Sequence, residues 1–198
     1  MTDPRGDGRL ARVRASLEES ARVKRDTLEA AGARIADAAE LVIEAFRAGG
    51  RLYAFGNGGS ASDAQHLAAE LAGRFDRDRP GLPAVALTAN TSDLTAIGND
   101  FGFDRVFARL LEAHGREGDV AVAITTSGNS PNVIAGVEEA RARGLRTIGL
   151  VGKGGGKLAD AVDVAVVIPS DSTARIQECH IAVIHVICEL VDAELFSE

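Results

Sequence analysis

Five short apolar runs, separated by helical patterns, set the architecture of this chain. They are Leu52–Phe55, Ala84–Leu87, Val120–Thr125, Thr147–Val151 and Val164–Ile168. Each is apolar throughout rather than alternating, as expected of strands buried on both faces of a parallel sheet. Helical spacing of apolar residues predicts helices over Ser60–Ala72, Leu94–Asn99, Arg105–Ala113, Pro131–Arg143 and a long final one over Thr173–Leu195. Ahead of the first strand, Leu10 to Ala48 is also helical in pattern, and Gly32 is the point at which it would divide into two helices. Leu10, Val13, Leu17, Ala21, Val23 and Leu28 form an apolar stripe there that needs a surface to pack on. Strands alternating with helices predict one α/β domain over 1–198, with residues 1–48 as a helical N-terminal extension. The charged stretch Gly73–Gly81, ending at Pro80-Gly81, is the candidate for a flexible cover.

Composition narrows the function. A chain of 198 residues with 45% apolar content suits one core. It has no Trp and a single tyrosine, Tyr53, which argues against an aromatic platform for stacking bases. The formal charge of −7 opposes both nucleic-acid binding and attraction to an anionic membrane. A small anionic substrate stays open, because backbone amides bind phosphate without net positive charge. No apolar run approaches the roughly 18 residues of a spanning helix, and the N-terminus is charged where a signal peptide needs an apolar core. A cytoplasmic location is expected. Cys179 and Cys188, nine apart on a helical pattern, face opposite ways and are expected to be free thiols.

In open parallel sheets, ligands bind beyond the carboxyl ends of the strands. The loop after the first strand is Gly56-Asn57-Gly58-Gly59-Ser60, where glycines allow close backbone approach and Ser60 is placed to cap the following helix. The segment fits a dinucleotide fingerprint loosely. That reading needs an acid at the end of the next strand, and Leu87-Thr88-Ala89-Asn90 has none. The loop after the third strand, Thr125-Thr126-Ser127-Gly128-Asn129-Ser130-Pro131, offers four hydroxyls just before a helix N-terminus. One hydroxyl satisfies a cap; four suit a phosphate better.

His66 and Glu70 lie four residues apart on one helical face, as the first ligands of a zinc site or as an acid/base pair. On the final helix, Gln177, His180 and His185 are further candidates. Gln177 and His185 are separated by a rise of about 12 Å and could share an ion only by leaning together. His180 and His185 do not easily face one site, so one of them is structural, and spacing alone leaves open which.

Taken together, GNGGSASDAQHLAAE, RPGLPAVAL, TAIGNDFGF, TTSGNSPNVI and RIQECHIAVIH resemble the phosphoheptose isomerases, members of the sugar isomerase (SIS) domain family. The resemblance runs over nearly the whole chain. It implies a five-stranded parallel sheet between helices, a homotetramer with active sites at subunit interfaces, and conversion of sedoheptulose 7-phosphate to D-glycero-D-manno-heptose 7-phosphate, the first step of activated heptose synthesis. It further implies one zinc ion per active site, held by His66, Glu70, Gln177 and His185, which leaves His180 structural. Substrate contacts would come from Asn57, Gly58, Gly59, Ser60, Glu70, Asn99, Asp100 and Gln177, with phosphate on Thr125, Thr126, Ser127 and Ser130 and Arg74 nearby. Two departures stand out. Thr125 replaces a serine of some members and keeps the hydroxyl, whereas Ala174 stands where some carry an acid, which leaves the contribution of that position open.

Isomerisation through an enediol needs a base at carbon and a proton donor at oxygen. Glu70 is the expected base and His185 the acid, with the substrate oxygens polarised by zinc. Ligation weakens a carboxylate as a base, so Glu70 is asked to fill two roles that compete. The alternatives are a non-catalytic SIS protein, binding sugar phosphate or associating with a replication initiator, and an isomerase of another ketose phosphate. A regulator has no need of the His66, Glu70, Gln177 and His185 set.

Overall fold

A computed structural model describes residues 4–196. Residues 1–3, at the head of the expected N-terminal extension, and 197–198 lie outside the described residues. Five parallel strands, β1 (Leu52–Gly56), β2 (Ala84–Ala86), β3 (Val120–Thr125), β4 (Arg146–Val151) and β5 (Val164–Val167), form one sheet in the order β2-β1-β3-β4-β5. The helices are α1 (Pro4–Arg47), α2 (Gly59–Ala72), α3 (Thr91–Phe101), α4 (Val106–His114), α5 (Pro131–Ala142), a single turn α6 (Gly156–Ala159) and α7 (Thr173–Leu195), with a 3-10 turn over Phe103–Arg105.

The strands alternate faces with period two, and each face builds its own core. Leu52, Ala54, Val122, Ile124, Ile148 and Val166 point to one side, where α1, α2 and α7 cover them with residues such as Val42, Leu67, Leu71, Ile184 and Ile187. Phe55, Ala121 and Ala123 point to the other, against Phe107 and Leu111 of α4 and Val133 and Val137 of α5. The helices carrying the His and Glu candidates therefore share one face.

β1 leads outward to β2, whereas β3 leads the opposite way to β4. The β1–α2 and β3–α5 loops consequently flank the point where the winding direction reverses, the usual place for a ligand in such a sheet.

Several expectations change. Gly32 does not divide the first helix: α1 runs 44 residues without a break. The roughly 1 kcal/mol that a helical glycine costs is outweighed by packing, since Gly32 lies where α1 crosses Cys179 and Val183 of α7 and leaves room for Leu28. Val23 of the predicted stripe is buried, but Leu10, Val13, Leu17 and Leu28 are exposed. α6 went unpredicted because one turn carries no periodicity. Both cysteines are free and buried. Among the described residues no helix is long and apolar enough to cross a membrane.

Candidate active site

The loop after β1 is shaped by contacts that exclude side chains. Gly58 has φ of 58° and precedes α2 as its N-cap with no side-chain cap. A Cβ on Gly59 would overlap the Gln177 amide of α7, so glycine is what lets Gln177 lie on the loop. Ser60 does not cap the helix as expected. It is buried in the first turn, and its N–H donates to the Asn57 carbonyl at 3.0 Å. Glycine at N-cap and N1 starts α2 earlier than a serine cap would.

One turn further along α2, His66 and Glu70 meet His185 of α7. His66 Nε2 stands 3.0 Å from a Glu70 carboxylate oxygen and 3.1 Å from His185 Nε2. One donor atom from each of the three residues lies within 4.8 Å of the others. Phe75, from the loop after α2, packs over the His185 ring at 5.7 Å between centroids. Glu70 and His185 are half-buried and His66 is exposed, so the cluster opens to solvent on one side. His185 reaches His66 within a single chain, so no neighbouring subunit is needed for this contact.

Asp63 lies one turn before His66. Burial pushes its carboxyl up to about 6, opposed only in part by His66, and its Oδ2 has no hydrogen-bond partner among the described residues. His180 is fully buried. Burial pulls its pKa down to about 4, offset only in part by a backbone interaction with Val151, which falls short of a well-formed hydrogen bond among the described residues. A neutral imidazole locked in the core has no access to the cluster.

Across the switch point, Thr125 Oγ1 lies 3.1 Å from Ser130 Oγ and 3.4 Å from Ser127 Oγ, with Thr126 beside them, half-buried. Ser130 occupies the N-cap of α5, yet its side chain makes no capping bond. The hydroxyls face one another rather than the helix, so capping does not account for them. Gly128, with φ of 66°, presses on the Gly155 backbone, and Asn129 Oδ1 accepts from the Lys157 N–H at 3.2 Å. The loop thus rests on the Gly152–Gly156 turn.

A SIS domain model matches residues 17–152 and a second SIS domain model matches residues 112–193. A phosphoheptose isomerase from Roseiflexus sp. (strain RS-1) is 55% identical over 182 residues, 92% of this chain and 92% of that protein. The chain belongs to the phosphoheptose isomerases of the SIS-domain family. Solved phosphoheptose isomerases share its fold. The one from Neisseria gonorrhoeae is 47% identical with a TM-score of 0.88, over 93% of this chain and 98% of that one. The one from Francisella tularensis is 38% identical with a TM-score of 0.89, over 92% and 97%.

Within this family frame, the chain brings some of the predicted residues together and leaves others apart. Asn57 is joined to Asn132 by two reciprocal amide hydrogen bonds of 2.8 and 2.9 Å. Asn132 is 2% exposed, sits at the second position of α5 and ties one loop to the other across the switch point. The sequence reading missed it. Its signal was weak: a polar residue inside the first turn, 75 residues from its partner. Asn99 and Asp100 are exposed on α3 and hydrogen-bond to each other at 2.7 Å. Arg74 is exposed after α2 and makes no hydrogen bond among the described residues. None of these three makes a hydrogen bond or ion pair with the His66 cluster among the described residues.

The expected cover, Gly73–Gly81, is tied down. Arg77 donates to the Phe196 carbonyl at 3.2 Å, and Arg79 is held in the interior by Asp192 of α7.

Proposed function

We propose that this chain interconverts sedoheptulose 7-phosphate and D-glycero-D-manno-heptose 7-phosphate through an enediol. The observation that carries the proposal is the convergence of His66, Glu70 and His185 beside the switch point, in a chain 55% identical to a phosphoheptose isomerase. Two imidazoles and one carboxylate, with donor atoms this close and one side open, are a donor set that zinc accepts while keeping a position for substrate. His66, Glu70 and His185 would hold the ion, with Gln177 as the fourth ligand. When bound, zinc supplies Lewis-acid polarisation of the sugar oxygens.

The chain's own groups divide the rest of the work. Thr125, Thr126, Ser127 and Ser130, with the first amides of α5, take the phosphate at the positive end of a helix dipole. Asn57, Gly58, Gly59, Ser60 and Gln177 orient the sugar chain. Glu70 removes the proton from C1 of the ketose and returns it to C2 of the enediol, while His185 protonates O2 and accepts the proton released from O1. Glu70 would act as base on being released from the ion when substrate binds, so its two roles alternate. Asn99, Asp100 and Arg74 belong to a homotetramer whose interfaces complete each site. The exposed Leu10, Val13 and Leu17 recur at helical spacing and so line one side of α1, a contiguous apolar stripe that supports such an assembly. A cytoplasmic, sugar-phosphate-metabolising role follows from this reading.

Incubating the protein with sedoheptulose 7-phosphate, with and without a chelator, tests it. An aldoheptose phosphate formed only without the chelator is the expected result. No product under either condition would replace catalysis by sugar-phosphate binding.

A further inference from the structure

We propose that the buried Arg79–Asp192 ion pair is a positioning device that sets the spacing of the His66–Glu70 pair against His185. Arg79 Nε donates to Asp192 Oδ1 at 2.6 Å, and the two side chains are 1% and 3% exposed. The same guanidinium turns back onto α2, where Nη2 donates to the Glu70 carbonyl at 3.0 Å and Nη1 to the Leu71 carbonyl at 2.8 Å. These are carbonyls of the last turn of α2, which lack helical partners and sit at the negative end of its dipole.

Asp192 follows His185 by seven residues, so the two share a face of α7, turned by only about 20° and separated by about 10.5 Å of rise. One guanidinium therefore grips the main chain of Glu70 and the helix that carries His185. The planar fork of arginine suits this three-way link, since its donors leave in fixed directions. Lysine offers no such geometry.

The chemistry of the pair points to precision rather than stability. Two charges removed from water cost much of what their attraction returns, and an apolar pair of similar volume would hold the helices together as well. Here the cost is visible, because Asp192 Oδ2 has no hydrogen-bond partner among the described residues. What the ion pair adds is direction: it fixes how far α7 can slide or turn against α2. Groups that orient metal ligands through hydrogen bonds typically change metal affinity or activity 10- to 100-fold when removed.

The inference rests on reading His66, Glu70 and His185 as the metal-binding and proton-transfer set, and the test separates the two. Cobalt(II) is titrated into Asp192→Asn, into the Arg79→Met/Asp192→Leu double variant and into His66→Ala, following the visible bands of the bound ion, and kcat and KM are measured on the same preparations. Asp192→Asn should bind cobalt at least tenfold more weakly and lose about tenfold in kcat, with KM nearly unchanged because the phosphate loop is untouched. The double variant, which leaves no unpaired buried charge, should still unfold cooperatively, with a melting temperature lowered only by the carbonyl bonds that Arg79 made, and should show the same losses. Arg79→Lys should recover only part of them. Wild-type cobalt affinity and kcat in the double variant would overturn the positioning role, and that variant decides the matter if Asp192→Asn does not fold. Wild-type cobalt binding in His66→Ala would instead overturn the reading of the site.

Discussion

At the scale of single residues, Glu70 carries the most. Its carboxylate is 3.0 Å from His66 Nε2, its carbonyl receives Arg79, and the proposed chemistry asks it to move a proton between two carbons. Replacing it by glutamine keeps the shape and removes the basicity. Glu70→Gln should lower kcat at least about a thousandfold, within the range of lost general-base catalysis, while the melting temperature stays within a few degrees. Near-normal turnover would remove Glu70 from the mechanism. His180 makes a contrasting case. Burial draws its pKa from an ordinary 6.5 to about 4, so between those values the unfolded chain holds the extra proton. Stability therefore falls as pH drops from about 6.5 towards 4, by an amount approaching about 3 kcal/mol for this group alone. Asp63 works in the opposite sense. Its folded pKa of about 6 lies above the ordinary 3.8, so the folded state takes up the proton first and gains stability as pH falls through 6. The two effects largely offset each other in the wild type, so denaturant unfolding from pH 4 to pH 7 should show His180→Leu gaining stability as pH falls and Asp63→Asn losing it, each more steeply than the wild type. Matching profiles for all three would mean that neither burial effect operates.

At the scale of elements, the loops are rigid because glycine allows one piece of backbone to press on another. Gly128 at φ of 66° abuts Gly155, and a methyl group there has nowhere to go. Gly128→Ala should raise KM for the sugar phosphate tenfold or more and leave the cobalt affinity of the His66 cluster unchanged, as read by steady-state kinetics and metal titration. Equal damage to both would show that the two loops are not independent parts. How far these elements could be foreseen depended on how local their causes are. The spans of β3 and α7 match the predicted ones, and the other strands differ by one residue at an end, because unbroken apolar runs bounded by turn residues are local signals. α3 begins three residues before its predicted start, since Asn90 accepts from the Ser92 and Asp93 amides and caps a turn with little apolar content. The His66–Glu70 pair was legible from its spacing. Asn132 and the Arg79–Asp192 pair were not, because their partners lie 75 and 113 residues away and only the fold brings them together.

At the scale of the whole molecule, α1 is the element that least fits a solitary chain. Its 44 residues extend about 66 Å, and its first half projects Leu10, Val13 and Leu17 into solvent. Arg175 donates to the Ser16 carbonyl, so this outer half is tied to α7 two residues before Gln177. The double substitution Leu10→Glu/Leu17→Glu should lower the oligomer mass in solution, measured by light scattering, and reduce turnover through the interface groups. An unchanged oligomer with full activity would place the contacts elsewhere. The order in which the chain leaves the ribosome has its own bearing on the cluster. His66 and Glu70 emerge about 120 residues ahead of His185, and Asp192 comes later still. The fifth strand ends at Val167, just before α7 begins at Thr173, and until α7 docks the sheet face beneath it stays bare, with no third ligand for an ion. Docking of the last helix thus buries that face and assembles the cluster in one event, so a chain cut short before it offers quality control exposed oil where a finished one offers a closed surface.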